Sequence, residues 1–234
     1  SIWFVMGRVF GKGGGDGCLQ GLLEIMGIPY THSGVLASAV AMNKPLANRL
    51  FRDAGIPVPE SEIITRDSLA EGLPMERPFV VKPLNEGSSV GVDIIMAGDN
   101  RDLGTLAAWS DSGEVMVERY IPGRELTVAV MGDKALGVTE IIPDEGFYDY
   151  GAKYSEGRAN HIVPAPVAEE IYLEAQQLAV LAHKTLGCRG VSRADLRYDD
   201  TGGEPGRLYL LEINTQPGMT PLSLVPEAAA YAGM

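Results

Sequence analysis

Apolar residues recur every three to four positions in some stretches of the chain and every second position in others, and this contrast lays out the elements. In "GCLQGLLEIMG", 17–27, Leu19, Leu22, Leu23 and Met26 fall at helical spacing and a glycine follows, which predicts a short amphipathic helix. "IPYTHSG", 28–34, reads as a buried strand and loop. Helical spacing resumes over 38–54, where Pro45 requires a helix start or a kink and Gly55 closes the element. "IPVPES" then reads as an extended connector.

From residue 78 onward the period shortens. "PFVVKP", "VGVDIIM", "EVMVERYI", "RELTVAVMG" and "KALGVTEII" follow one another with short breaks, the rhythm of antiparallel sheet. The stretch "EGFYDYGAKYSEGRANHIVPAP" has almost no periodicity and reads as a long loop. Its part from 146 to 163 is expected to act as a lid over a bound ligand. "VAEEIYLEAQQLAVLAHKTLG" is the clearest helix, with Ile171, Ala175, Leu178 and Leu181 on one stripe and Gly187 as its cap. The fold class is α+β, with mostly antiparallel strands.

The last two strand-like runs raise a chemical question. If 192–198 and 208–214 pair as a hairpin, alternation puts Ala194, Leu196 and Tyr198 on one face with Tyr209, Leu211 and Ile213. The other face then carries Arg193, Asp195, Glu212 and Asn214. Opposed residues lie about 5 Å apart, so Asp195 and Glu212 repel unless a cation lies between them. Oxygen ligands without His or Cys suit Mg²⁺ or Mn²⁺ better than Zn²⁺, and magnesium completes its shell with water and substrate phosphates. Arg193 would then stabilise charge on a phosphoryl group. The plainer alternative is a solvated face with ordinary arginine–carboxylate pairing. Upstream, Lys82 ends a strand and Gly87, Ser88, Ser89 and Gly91 follow it. This is not a Walker loop, but a hairpin of this composition can cover phosphates with its backbone N–H groups; it can also be a plain glycine-rich hairpin.

Composition narrows the classes. The chain has 234 residues, 45% of them hydrophobic, enough for a sizeable core and two or more subdomains. A formal charge of -12 without any basic block argues against nucleic acid and anionic membrane as partners. Any anionic ligand must therefore meet local positive charge or metal. Cys18 and Cys188 fit no metal spacing or disulfide framework; they are expected to be buried small apolar residues in a reducing cytoplasm. No apolar run has the length of a membrane span, and the start lacks the layout of a secretory signal. His32, His161 and His183 have no ligand or base spacing and read as non-catalytic.

Lys82 with "EGSSVGV", together with "FYDYGAKY", "GCRGVSRADL", "LEINTQPGMTPLSLVPEAA" and "GLLEIMGIPYTHSGVLASAVAMNK", resembles the D-alanine:D-alanine ligase family of ATP-grasp enzymes, from about residue 16 onward. The resemblance implies two ATP-grasp α+β subdomains enclosing a nucleotide site, 42–122 and 123–234, preceded by the remnant of an N-terminal α/β domain, 1–41. It implies a bacterial cytoplasmic homodimer that uses ATP and two Mg²⁺ or Mn²⁺ ions to phosphorylate one D-alanine and join it to a second, for peptidoglycan. Asp195, Glu212 and Asn214 match the metal ligands. Arg193 matches the residue that stabilises the transferring phosphoryl, and Ser88 and Tyr154 the pair that orients the first substrate. Lys44, Lys82 and Lys153 match phosphate contacts; Glu118, Ile121, Glu125 and Phe147 match the adenine and ribose site. Gly218, Ser223 and Leu224 match the pocket for the second D-alanine. Tyr148 and Tyr150 read as packing of the loop.

The chain also departs from the family pattern. In "VFGKGGGDG", Phe10 stands for a His and Gly15 for a Glu, and Asn43 stands for the usual Asp beside Lys44. The expected whole protein is longer by about sixty residues ahead of this chain, with the Glu that orients the first D-alanine, and the chain stops short of the usual last helix. Alternatives are a ligase that adds D-lactate or D-serine, against which Tyr154 in "AKY" speaks, or an inactive nucleotide-binding relative.

Overall fold

The computed structural model describes residues 13–68, 72, 74–85, 91–106, 113–143 and 159–234. Three helices come first: α1 (Cys18–Ile25), α2 (Val35–Met42) and α3 (Lys44–Asp53). The single helix expected over 38–54 is two, because the backbone of Asn43 leaves the helical region while its side chain accepts a hydrogen bond from Leu46 N at 3.1 Å. Asn43 thus caps α3, a task Asn and Asp share, and Pro45 falls in the first turn, where its missing N–H costs nothing. The segment 28–34 holds no strand. Of the apolar stripe on α1, only Leu23 is fully buried; Leu22 and Met26 are exposed.

Two antiparallel sheets follow. The first contains β1 (Ser61–Thr65), β2 (Phe79–Lys82), β3 (Asp93–Ile95) and β4 (Glu114–Arg119) in the order β1-β4-β2-β3. Phe79, Val81, Val115, Val117, Ile64 and Ile95 form a small core on one of its faces. The second sheet runs β7-β6-β5-β8-β9, from β5 (Arg124–Met131), β6 (Lys134–Pro143), β7 (Ala159–Ile162), β8 (Val191–Asp199) and β9 (Arg207–Asn214). Among the described residues two further α-helices are α4 (Glu169–Thr185), between β7 and β8, and α5 (Leu224–Tyr231), after β9. β1, β7 and α5 are elements the periodicity does not announce.

One face of the second sheet carries the main core. Leu126, Val128, Ala194, Leu196, Tyr198, Leu208 and Leu210 pack with Ile171, Ala175, Leu178, Ala179 and Ala182 of α4 and with Phe51 of α3. Burying each large apolar side chain contributes about 1.5–3 kcal/mol, so this layer anchors whatever the opposite face displays. The stripe on α4 runs to Ala182; Leu181 is exposed. The step from 178 to 182 keeps an average of 3.6 residues per turn, which 181 does not. Cys18 is exposed, against the expectation of burial, and Cys188 is partly buried.

His183 of α4 lies fully buried with Nδ1 2.7 Å from Ser192 Oγ. Burial lowers its pKa below the ordinary 6.5. The folded chain therefore resists a proton that the unfolded chain accepts, so stability is level above that value and falls as pH drops below it. Burial lowers His32 in the same way. Thermal unfolding between about pH 5 and pH 7.5 is expected to show a midpoint that declines on the acid side, with a shallower decline in His183→Asn. An equal slope in the variant would contradict this role.

Candidate active site

The β8–β9 pairing puts Arg193 opposite Asn214 and Asp195 opposite Glu212. The register then shifts, and Leu196 pairs with Leu210. Leu211 is the extra residue of a β-bulge. The apolar face of β9 is consequently Leu208, Leu210 and Ile213, while Tyr209 and Leu211 are only partly buried. Strict alternation assigned Tyr209 and Leu211 to the core. The bulge replaces that register and keeps both the polar end and the apolar end of the hairpin on their proper faces.

The polar end is tightly tied. Arg193 Nε donates to Asp195 Oδ1 at 2.9 Å and its Nη2 to Oδ2 at 2.8 Å. Both side chains are nearly buried, at 10% and 7% exposure. Thr127 of β5 donates from Oγ1 to Asp195 Oδ1 at 2.6 Å. Asn214 Oδ1 accepts from Gln216 N at 2.9 Å. Gln216 Oε1 in turn accepts from Gln20 Nε2 at 3.2 Å, and that amide also donates to Gly14 O at 3.2 Å. The start of α1 is thus stitched to the end of β9 through buried amides.

Three oxygen-bearing side chains share this face, two carboxylates and one amide, a donor set for a hard divalent cation. Among the described residues no three His, Cys, Asp or Glu side chains form a metal-binding group, so a site here depends on the amide of Asn214. The directly opposed carboxylates fit Mg²⁺ or Mn²⁺ bound with water and phosphate oxygens.

A second polar cluster sits on the first sheet. Lys82 Nζ lies 2.7 Å from Glu118 Oε1, with side chains 10% and 3% exposed. Glu118 Oε2 is buried and makes no hydrogen bond among the described residues, which leaves an acceptor for a ligand donor such as an adenine amino group. Lys44, first residue of α3, donates its backbone N–H to Leu84 O, just past β2. Glu118, Ile121 and Glu125 lie along one short run through the connector between the sheets. Arg197 of β8 straps that connector, donating to Ile121 O at 3.0 Å and Gly123 O at 2.7 Å, with Glu125 Oε2 at 4.0 Å. Gly123 must be glycine: its φ is 87°, and a Cβ would lie 2.1 Å from Tyr198 O.

After β9, Ser223 stands at the N-cap position of α5, without a side-chain capping hydrogen bond, and Leu224 begins the helix. Thr220 N donates to Ser223 Oγ at 3.0 Å. A Cβ on Gly218 would stand 2.8 Å from that same oxygen, so glycine lets the hydroxyl approach the loop.

The family model described as D-ala D-ala ligase C-terminus matches residues 50–234. The chain belongs to the D-alanine–D-alanine ligase family. It is 61% identical over 232 residues to the D-alanine–D-alanine ligase of Paramagnetospirillum magneticum, covering 98% of this chain and 75% of that protein. The corresponding enzyme of Parvibaculum lavamentivorans is 60% identical over 225 residues, covering 95% and 73%. Among solved structures, the VanG D-Ala:D-Ser ligase of Enterococcus faecalis superposes with a TM-score of 0.80 at 34% identity, over 96% of this chain and 67% of that one. The fold is ATP-grasp, with two antiparallel sheets in a mixed α+β chain.

Of the ligase residues matched in the sequence, Arg193, Asp195, Glu212 and Asn214 share one face, Lys82 and Glu118 form one pair, and Gly218, Ser223 and Leu224 share one loop and helix start. Ser88, Phe147, Lys153 and Tyr154 lie outside the described residues, as do Tyr148, Tyr150 and most of the expected lid. The tail of that segment, however, is β7, paired with β6. Its four residues, "ANHI", are too few to show alternation. Arg197 was missed as a structural tie, although it continues the period-two series of Arg193 and Asp195. Among the described residues no helix is long and apolar enough to cross a membrane.

Lys82→Met leaves the Glu118 carboxylate buried beside a hydrocarbon. Breaking a buried pair from one side costs about 3–5 kcal/mol, so urea unfolding is expected to shift by that amount. Lys82→Met with Glu118→Gln should recover most of it. An unchanged midpoint in the single variant would show that the pair does not hold the sheet.

Proposed function

We propose that this protein joins two D-alanine molecules into D-alanyl-D-alanine with ATP, for peptidoglycan precursors. The observation that carries the reading is the face of Arg193, Asp195, Glu212 and Asn214 in a chain 61% identical to a D-alanine–D-alanine ligase. A carboxylate oxygen of the first D-alanine attacks the γ-phosphorus of ATP and ADP leaves. The amine of the second D-alanine then attacks the acyl carbon, phosphate leaves and the amine gives up a proton.

Asp195, Glu212 and Asn214 would hold two Mg²⁺ or Mn²⁺ ions. Bound there, the metal supplies neutralisation of phosphate charge and a template for the transfer. Arg193, its planar fork turned partly away from Asp195, would meet two oxygens of the transferring group together. Lys44, Lys82 and Lys153 bind the nucleotide phosphates. Glu118, Ile121, Glu125 and Phe147 hold base and ribose, a role supported by the buried Glu118 Oε2, which makes no hydrogen bond among the described residues. Ser88 and Tyr154 orient the first D-alanine, and the segment around Lys153 excludes water from the acylphosphate. Ser223 and Leu224, beside Gly218, receive the carboxylate of the second D-alanine at the positive end of α5.

We place the reaction in the cytoplasm, where ATP is at hand, and read the protein as a homodimer; exposed Leu22, Ile25, Met26 and Leu36 on α1 and α2 support a self-association surface. The reading keeps the subdomain division at 42–122 and 123–234, supported by one sheet on each side of the connector strapped by Arg197.

The test is ATP-derived phosphate release with product detection on the full-length protein. D-Alanine and Mg²⁺ are expected to be required together. D-Alanyl-D-serine or a depsipeptide as the main product would assign the second substrate differently, and no D-alanine-dependent release would overturn the reading. Glu212→Gln should abolish turnover with the fold retained by circular dichroism; full activity at saturating Mg²⁺ would remove Glu212 from the metal site. Arg193→Lys should lower kcat about 100-fold, the scale of one lost preorganised donor, with ATP affinity changed less than about tenfold. Equal losses in both would make Arg193 a ground-state clamp.

A further inference from the structure

Thr127 sits in the middle of β5, directly opposite Asp195 on β8 and Thr139 on β6. It is 2% exposed. Its Oγ1 lies 2.6 Å from Asp195 Oδ1 and 3.2 Å from Ala194 O. Both neighbours are acceptors and the hydroxyl has one proton, which goes to the nearer, charged oxygen.

Asp195 is therefore held from two strands by two unlike donors. Arg193 grips both carboxylate oxygens, but through a long side chain, and its two parallel bonds move with the guanidinium. Thr127 is β-branched, stiff at χ1, and fixed in the centre of a sheet. The proposed phosphoryl contact of Arg193 also requires that its fork turn at least partly away from Asp195. The hydroxyl of Thr127 need not move when that happens.

We infer that Thr127 is a positioning residue that holds the Asp195 carboxylate in its metal-binding orientation, independently of Arg193. This rests on the reading of Asp195 as a metal ligand. Removing an outer partner of a metal ligand typically lowers metal affinity 10- to 100-fold, and the Thr127 hydroxyl is a donor that opposes the carboxylate following the arginine.

The probe is Mn²⁺ titrated into the full-length protein with ADP present, followed by electron paramagnetic resonance. Thr127→Val keeps the shape and is expected to raise the Mn²⁺ dissociation constant about 10- to 100-fold. Thr127→Ser, which restores the hydroxyl, should return it close to the original value. In turnover, the valine variant should raise the KM for Mg²⁺ while kcat at saturating metal largely recovers, a split that a general loss of packing would not give. Unchanged Mn²⁺ affinity in folded Thr127→Val overturns the inference; if that variant does not fold, Thr127→Ala must weaken Mn²⁺ and Thr127→Ser must not. Asp195→Asn in the same titration separates the two levels. If it leaves Mn²⁺ binding unchanged, the metal assignment itself fails; if it weakens binding and the Thr127 variants do not, only the role of Thr127 fails.

Discussion

Two carboxylates directly opposed across an antiparallel strand pair repel one another, and the second sheet is arranged around containing that repulsion. Asp195 and Glu212 occupy such a pair. On one side Asp195 is neutralised by the two-point contact of Arg193 and fixed by Thr127 from the neighbouring strand. The interior strand β8 holds Asp195 opposite Glu212 of the edge strand β9 because its other face is locked into the core by Ala194 and Leu196 against α4. The chemistry of one face thus depends on the packing of the other.

The bulge at Leu211 is the second consequence. Without it, a β9 that presents Glu212 and Asn214 to the polar face would turn Leu208 and Leu210 away from the core. One extra residue reconciles the two demands within a single strand. The connector between the sheets shows a similar division of labour. Gly123 allows the chain to pass against Tyr198, and Arg197 fastens the passing backbone, so that Glu118, Ile121 and Glu125 are presented from a fixed line. Both devices place the candidate site side chains on rigid strands and their ends, where positions are reproducible to fractions of an ångström.

The polar face of the last hairpin was legible in the sequence because alternation needs only two strands and a turn. Lys82 at a strand end was legible for the same reason. Less could be read of β1, β7 and α5, whose short runs carry too few residues for a period to emerge, or of the break at Asn43, where cap and helix interior have similar composition. Cys18 was misplaced because its exposure depends on which side of α1 meets a neighbour, and α1 leaves most of its apolar stripe uncovered.

By itself the sequence determined the α+β class, the acidic character that argues against non-specific nucleic-acid binding, and the group of Arg193, Asp195, Glu212 and Asn214. These follow from local period and composition, which neighbouring residues set between them. Only the tertiary structure decided the hairpin register beyond Asp195, the pairing of Lys82 with Glu118, the placement of Thr127 against Asp195, and the amide chain from Gln20 to Gln216. Each joins residues from separate elements or the segments beside them, up to 196 positions apart. Such contacts arise from the packing of whole elements, and no local period encodes which side chain will stand across from which.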